Sequence, residues 1–151
     1  MTAAASPRPT IAPDSSVLIA GFVPSHRFHQ VVLPSLAEVA ERGGLIAHTI
    51  AEAYSVLSAP AGIYRAEPGA VLDYLDQFLG GGPPIPIAPA AYRRALGLLV
   101  ADGRPGGAVY DALIGLAARE AEVTLASLDR RAQPIYRLCG TNVRLLADVA
   151  R

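Results

Sequence analysis

The 151-residue chain has no lysine, no tryptophan, one methionine and one cysteine. All thirteen cationic side chains are arginine. Without a lysine amine there is no Schiff base, no pyridoxal chemistry and no phosphate-binding P-loop. A phospho-receiver domain, similar in size, is excluded for the same reason. Cys139 alone permits neither an internal disulfide nor a cysteine metal cage, and three scattered histidines do not make a zinc ribbon. Basic and acidic residues balance at thirteen each, so the chain is no cationic nucleic-acid coat. It has no uncharged apolar run of membrane-spanning length. Its Ala/Pro-rich start lacks the basic segment and apolar core of a signal peptide. The expectation is a soluble, cytoplasmic protein.

What is present is apolar: 52% of residues are hydrophobic and 17% charged, enough to build a packed core. The length suits one domain and is too short for two. Residues 1–9 read as a flexible tail and residues 10–151 as a single domain. Short apolar runs at 10–13, 45–47, 83–87, 123–126 and 143–146 read as strands. Helical patterns fall between them, at 28–42, 49–58, around 71–79, 90–100, 108–121 and 132–138. Pro34 is expected to kink the first of these helices, and Pro84 and Pro86 to confine 83–87 to a sheet edge. The alternation predicts an α/β fold: a three-layer α/β/α sandwich around a five-stranded, mainly parallel sheet.

In such sheets ligands collect beyond the carboxyl ends of the strands. Asp14 follows the first strand, Glu52 lies in the helix after the second, and Asp129 follows the fourth. Asp111 sits early in the 108–121 helix, on a stripe of small residues with Ala108, Gly115 and Ala118. Each acid also has a structural reading. Asp14 and Asp129 can cap helices, Thr49-Ile50-Ala51-Glu52 has the form of a capping box, and Asp111 can be a solvated helix residue. Four independent caps, however, have no reason to point into one crevice.

The run Thr10-Ile11-Ala12-Pro13-Asp14-Ser15-Ser16-Val17-Leu18 resembles the opening motif of PIN-domain nucleases. Thr49–Glu52 resembles the second motif, Asp111-Ala112-Leu113-Ile114 the third, and Val123-Thr124-Leu125-Ala126-Ser127-Leu128-Asp129 the fourth. Ser127 there keeps the hydroxyl of the usual Thr-x-Asp. Size matches the VapC-type toxins of toxin–antitoxin pairs. The resemblance implies a PIN-like endoribonuclease that cuts single-stranded RNA with metal-activated water. Asp14, Glu52, Asp111 and Asp129 would be its catalytic and metal-holding residues. Hard oxygen donors select Mg²⁺ or Mn²⁺. Many relatives carry a further acid after the fourth motif, and Arg130-Arg131-Ala132-Gln133 offers none, which leaves one or two metal ions open.

Arg104, Arg130 and Arg131 flank the acids and are assigned, with Ser15 and Ser127, as substrate contacts, against the plain reading of solvated arginines. Tyr64 and Tyr110 can stack bases, although packing is the simpler role. His26 and His29 read as helix-start residues. The resemblance also implies a homodimer and a small cognate antitoxin, for which the helices around 31–39 and 71–79 would supply a groove. A haloacid-dehalogenase-type phosphatase lacks its second aspartate here, and a dinucleotide-binding domain its glycine-rich turn. The remaining alternative is a catalytically inactive PIN-like RNA-binding or protein-interaction module.

Overall fold

The computed structural model describes residues 7–148, so the expected tail lies largely outside the described residues. Strand β1 (Ile11–Pro13) leads directly into α1 (Ser15–Phe22), followed by α2 (His29–Arg42), α3 (Ala47–Ser58), α4 (Pro68–Leu79), α5 (Pro89–Ala101) and α6 (Ala108–Glu120). The chain then forms β2 (Thr124–Ser127), α7 (Gln133–Leu138) and β3 (Val143–Leu145). The strands pair in parallel in the order β1-β2-β3, with Ala12 opposite Leu125 and Ala126 opposite Arg144.

Alternation along these strands explains the layers. Ile11 and Ala126 face a core shared with α1, α2, α3 and α4, while Ala12 and Leu125 face α6 and α7. Successive strand residues point to opposite faces, so a sheet covered on both sides reads as an unbroken apolar run. Helix α5 packs on the outer side of α6 through Ala91, Ala95 and Leu99. The α/β/α layering holds.

The strand count does not. Two of the five expected strands reduce to single bridges among the described residues: Ile46 pairs with Ile85, and Gly43 extends β1 by pairing with Ile11. The Ile85 N–H donates to the Leu45 carbonyl and the Ala47 N–H to the Ile85 carbonyl. Pro84 and Pro86 on either side of Ile85 have no N–H to continue the ladder, and Ala47 already begins α3. Helix α2 runs on through Pro34. The segment after Ser15, which the sequence pattern left unassigned, is the helix α1, with Val17, Leu18 and Ala20 buried. The inner stripes of α2 and α4 (Val32, Leu36 and Val39; Val71, Leu75 and Phe78) are buried together in one core, so a partner at these helices would meet their outer residues, such as Leu33 and Leu72.

Helix α6 is the spine of the molecule, with every residue from Ala112 to Ala118 buried. Gly115 makes this possible: a Cβ there would meet Thr141 Oγ1 at 2.9 Å, Cys139 Cβ at 3.2 Å and Tyr136 Cδ1 at 3.3 Å. The Thr141 hydroxyl donates to the Gly115 carbonyl at 2.8 Å and locks the approach.

Candidate active site

Parallel pairing brings the carboxyl ends of β1 and β2 side by side, with the Asp14 N–H donating to the Ala126 carbonyl at 2.9 Å. Asp14 is the N-cap of α1, in extended conformation, and its Oδ1 accepts from the Val17 N–H at 3.3 Å. The cap reading therefore holds, and capping does not take Asp14 away from the strand end. Asp14 is only 2% exposed. Its Oδ1 also accepts from the Ser16 hydroxyl, its Oδ2 from the Tyr136 hydroxyl at 3.1 Å, and Ser127 adds a further bond. Burial still raises its pKa above the ordinary carboxylate value, with these donors opposing.

Asp129 emerges two residues beyond β2. Its Oδ1 accepts from the N–H groups of Arg131 at 2.8 Å and Ala132 at 3.4 Å, and so shapes the entry to α7. The expected capping box at Glu52 is absent. Helix α3 starts at Ala47, capped by Ile46 without a side-chain bond, and the Thr49 hydroxyl turns back to donate to the Ile46 carbonyl at 2.8 Å. Glu52 is thus left for the crevice. Burial raises its pKa first; His48 lowers it, the charge of Asp14 raises it and a bond from Ser15 lowers it.

Asp111, in the first turn of α6, connects the set. Its pKa rises from 3.8 to about 6 through burial and then through the charges of Asp129, Glu52 and Asp14. The fold therefore places all four acids within one another's field. They are hard oxygen donors, and Glu52 Oε1 is buried without a hydrogen-bond partner. In donor type and charge they fit Mg²⁺ or Mn²⁺. Among the described residues, no three Asp, Glu, His or Cys side chains close into a ready-made metal cage, and both Asp14 oxygens are engaged by the protein.

The expected substrate contacts divide. Ser15 bonds Glu52. Ser127 is fully buried; its hydroxyl bonds Asp14 and accepts from the Asp129 N–H at 3.0 Å, so it orients acids and cannot touch substrate. Arg104 is exposed between α5 and α6 and pairs with Asp102. Arg130 and Arg131 are exposed beside Asp129.

Three contributors escape the sequence reading. The Ser16 hydroxyl also accepts from the Leu128 N–H at 3.0 Å, stitching the two strand ends together. Tyr136, 1% exposed in α7, holds Asp14; a polar aromatic beside Ile135 in a short apolar helix was the available signal. His48, one turn before Glu52, stacks on Tyr110 with ring centroids 5.3 Å apart and planes at 7°.

Comparison with known proteins identifies the family. The PIN-domain family profile matches residues 11–138. Ribonuclease VapC40 of Mycobacterium tuberculosis is 36% identical over 137 residues, covering 90% of this chain and 98% of the relative. Ribonuclease VapC27 of the same organism is 33% identical over 141 residues, covering 93% and 99%. Among solved structures, FitAcB from Neisseria gonorrhoeae superposes with a TM-score of 0.67 at 18% identity, over 91% of this chain and 99% of that one. PAE2754 from Pyrobaculum aerophilum gives 0.58 at 17%, over 94% of each. A family match spanning the acid-bearing strand ends, and relatives aligned almost end to end, establish that the chain belongs to the PIN-domain family.

Proposed function

We propose that this protein is a divalent-metal-dependent endoribonuclease that cuts single-stranded RNA, acting as the toxin of a toxin–antitoxin pair. The observation that carries the reading is the electrostatic coupling of Asp111 to Asp14, Glu52 and Asp129 at the strand ends. Such a concentration of charge is costly unless a cation offsets it. Two relatives that bear the name ribonuclease support the choice of substrate.

Asp14, Glu52, Asp111 and Asp129 would hold Mg²⁺ or Mn²⁺, which when bound acidifies a water and stabilises the leaving oxygen. The remaining residues position these acids. Ser16, Tyr136 and Ser127 fix the rotamer of Asp14, Ser15 restrains Glu52, and the Ser127 hydroxyl fixes the chain at Asp129. Arg130 and Arg131, exposed beside Asp129, are placed to meet phosphate oxygens. No helix among the described residues is long and apolar enough to cross a membrane, and an RNA substrate would be met in the cytoplasm. A homodimer and a small antitoxin complete the assembly.

A non-catalytic binding module is the second reading, favoured by the open rather than closed arrangement of the acids. Incubating mixed RNA with the protein in Mg²⁺ and in excess EDTA decides between them. The nuclease reading requires cleavage in Mg²⁺ only, and its loss in Asp14→Asn. Retention of RNA without cleavage in either condition selects the module.

A further inference from the structure

A groove of about 380 Å³ opens beside the acids, within the size range of small-ligand sites. Its floor is one face of α3, where His48, Ala51, Glu52 and Ser55 recur at helical spacing with Val56 beside them, and Tyr110 of α6 closes one side. Glu52 belongs to both groove and acid cluster, and Tyr110 adjoins Asp111 in sequence. A chain lying across the acids has its neighbouring unit at this groove.

The lining selects a chemistry. It contains no arginine and one carboxylate, so it repels phosphate. It offers the Tyr110 ring, 51% exposed and parallel to the His48 imidazole, together with apolar Ala51 and Val56. His48 Nε2 is buried without a hydrogen-bond partner, 4.0 Å from the equally unpartnered Glu52 Oε1. Buried polar atoms ordinarily have partners. A flat heterocycle supplies a face for the exposed Tyr110 ring, and a small shift of the His48–Glu52 pair would present the imidazole to its hydrogen-bonding edge. We propose that this groove seats the nucleobase adjacent to the scissile phosphate, with Tyr110 as its stacking platform and His48 as the residue that discriminates among bases. This deepens the ribonuclease reading and rests on it for the identity of the ligand.

Binding separates the two. In the full-length Asp111→Asn chain, in EDTA, fluorescence anisotropy with fluorescein-labelled A, C, G and U decamers reads affinity without chemistry. Base stacking lost on alanine substitution corresponds to about a 5- to 100-fold weakening, which is expected for Tyr110→Ala. Tyr110→Phe keeps the ring and is expected within about 2-fold of the parent. His48→Ala is expected to flatten the ranking of the four decamers, and Ser55→Trp to block binding by filling the groove. Melting temperatures confirm that each variant is folded. The inference is overturned if no decamer binds, if Tyr110→Ala binds as the parent does, as it would were the groove meant for a partner protein, or if Tyr110→Phe loses as much as Tyr110→Ala. An unchanged ranking in His48→Ala overturns the discriminating role. Tyr110-dependent binding in this chain, together with a wild-type chain that never cleaves RNA in Mg²⁺ or Mn²⁺, removes the nuclease reading and leaves the groove standing. Cleavage with binding indifferent to Tyr110 does the reverse.

Discussion

Asp111 shows how a single carboxyl reports on its neighbours. Its pKa is raised to about 6 in the fold, so between about pH 4 and pH 6 the folded chain holds a proton that the unfolded chain has released. Stability of the metal-free protein therefore falls as pH climbs through that window. Asp14 and Glu52 are shifted in the same direction and add to the trend. Asp111→Asn removes one contributor. At pH 7 it is expected to stabilise the metal-free protein by on the order of 1 kcal/mol, allowing for solvent screening of a half-buried group, and to flatten the pH dependence while activity is lost. Urea unfolding at pH 4, 5.5 and 7 checks this, and a mutant no more stable than wild type at neutral pH counts against the coupled cluster. Tyr136→Phe tests the opposite kind of contact. It leaves Asp14 Oδ2 without its donor in a fully buried setting, at a cost of about 1–3 kcal/mol. A loss below about 0.5 kcal/mol in the same unfolding experiment would show that Tyr136 only fills space.

Among the elements, α6 is the one whose packing reaches the site. Gly115→Ala gains helix propensity worth up to about 1 kcal/mol, yet its methyl group would press on Thr141, Cys139 and Tyr136. Overpacking of this kind costs about 1–3 kcal/mol, so net destabilisation is expected in thermal unfolding, with activity reduced through the Tyr136–Asp14 bond. A stabilised, fully active Gly115→Ala would show that α7 gives way freely. The same element shows where sequence was informative. The strands at 10–13 and 123–126 were legible to within a residue because a doubly covered sheet leaves nearly unbroken apolar runs; 143–146 was legible although Arg144, in the middle of β3, is exposed. The runs at 45–47 and 83–87 looked alike and were not strands, since proline and an early helix start left one pairable residue in each case. Asp14 and Asp129 stood out because they follow strands, whereas Glu52 and Asp111 lie on helices α3 and α6. Ser16, Tyr136 and His48 were not legible, because their roles come from segments that meet only in three dimensions: Tyr136 reaches Asp14 across 122 positions. Helix α1 was missed because its residues carry no amphipathic spacing, with Val17, Leu18 and Ala20 all buried.

For the whole molecule, a metal held by these acids, as proposed, would make metal binding and folding a linked equilibrium. Mg²⁺ at 100 times its dissociation constant is expected to stabilise wild type by about 2.7 kcal/mol, and Asp14→Asn or Asp129→Asn by much less. Equal stabilisation of all three in thermal melts would disconnect these acids from the metal. The topology has a separate outcome in time. Asp14 follows β1, whose one partner strand among the described residues is β2, and Asp129 follows β2, so the two acids are separated by more than a hundred intervening residues. At about 5–20 residues per second of synthesis, Asp14 waits roughly 6–20 s for the strand that positions it. A chain stopped before Thr124 lacks β2 and Asp129 altogether, and is expected to give neither native-like near-ultraviolet circular dichroism nor RNA cleavage. If RNA is the substrate, as proposed, a growing polypeptide of this design would stay harmless to the message being translated until most of it has been made.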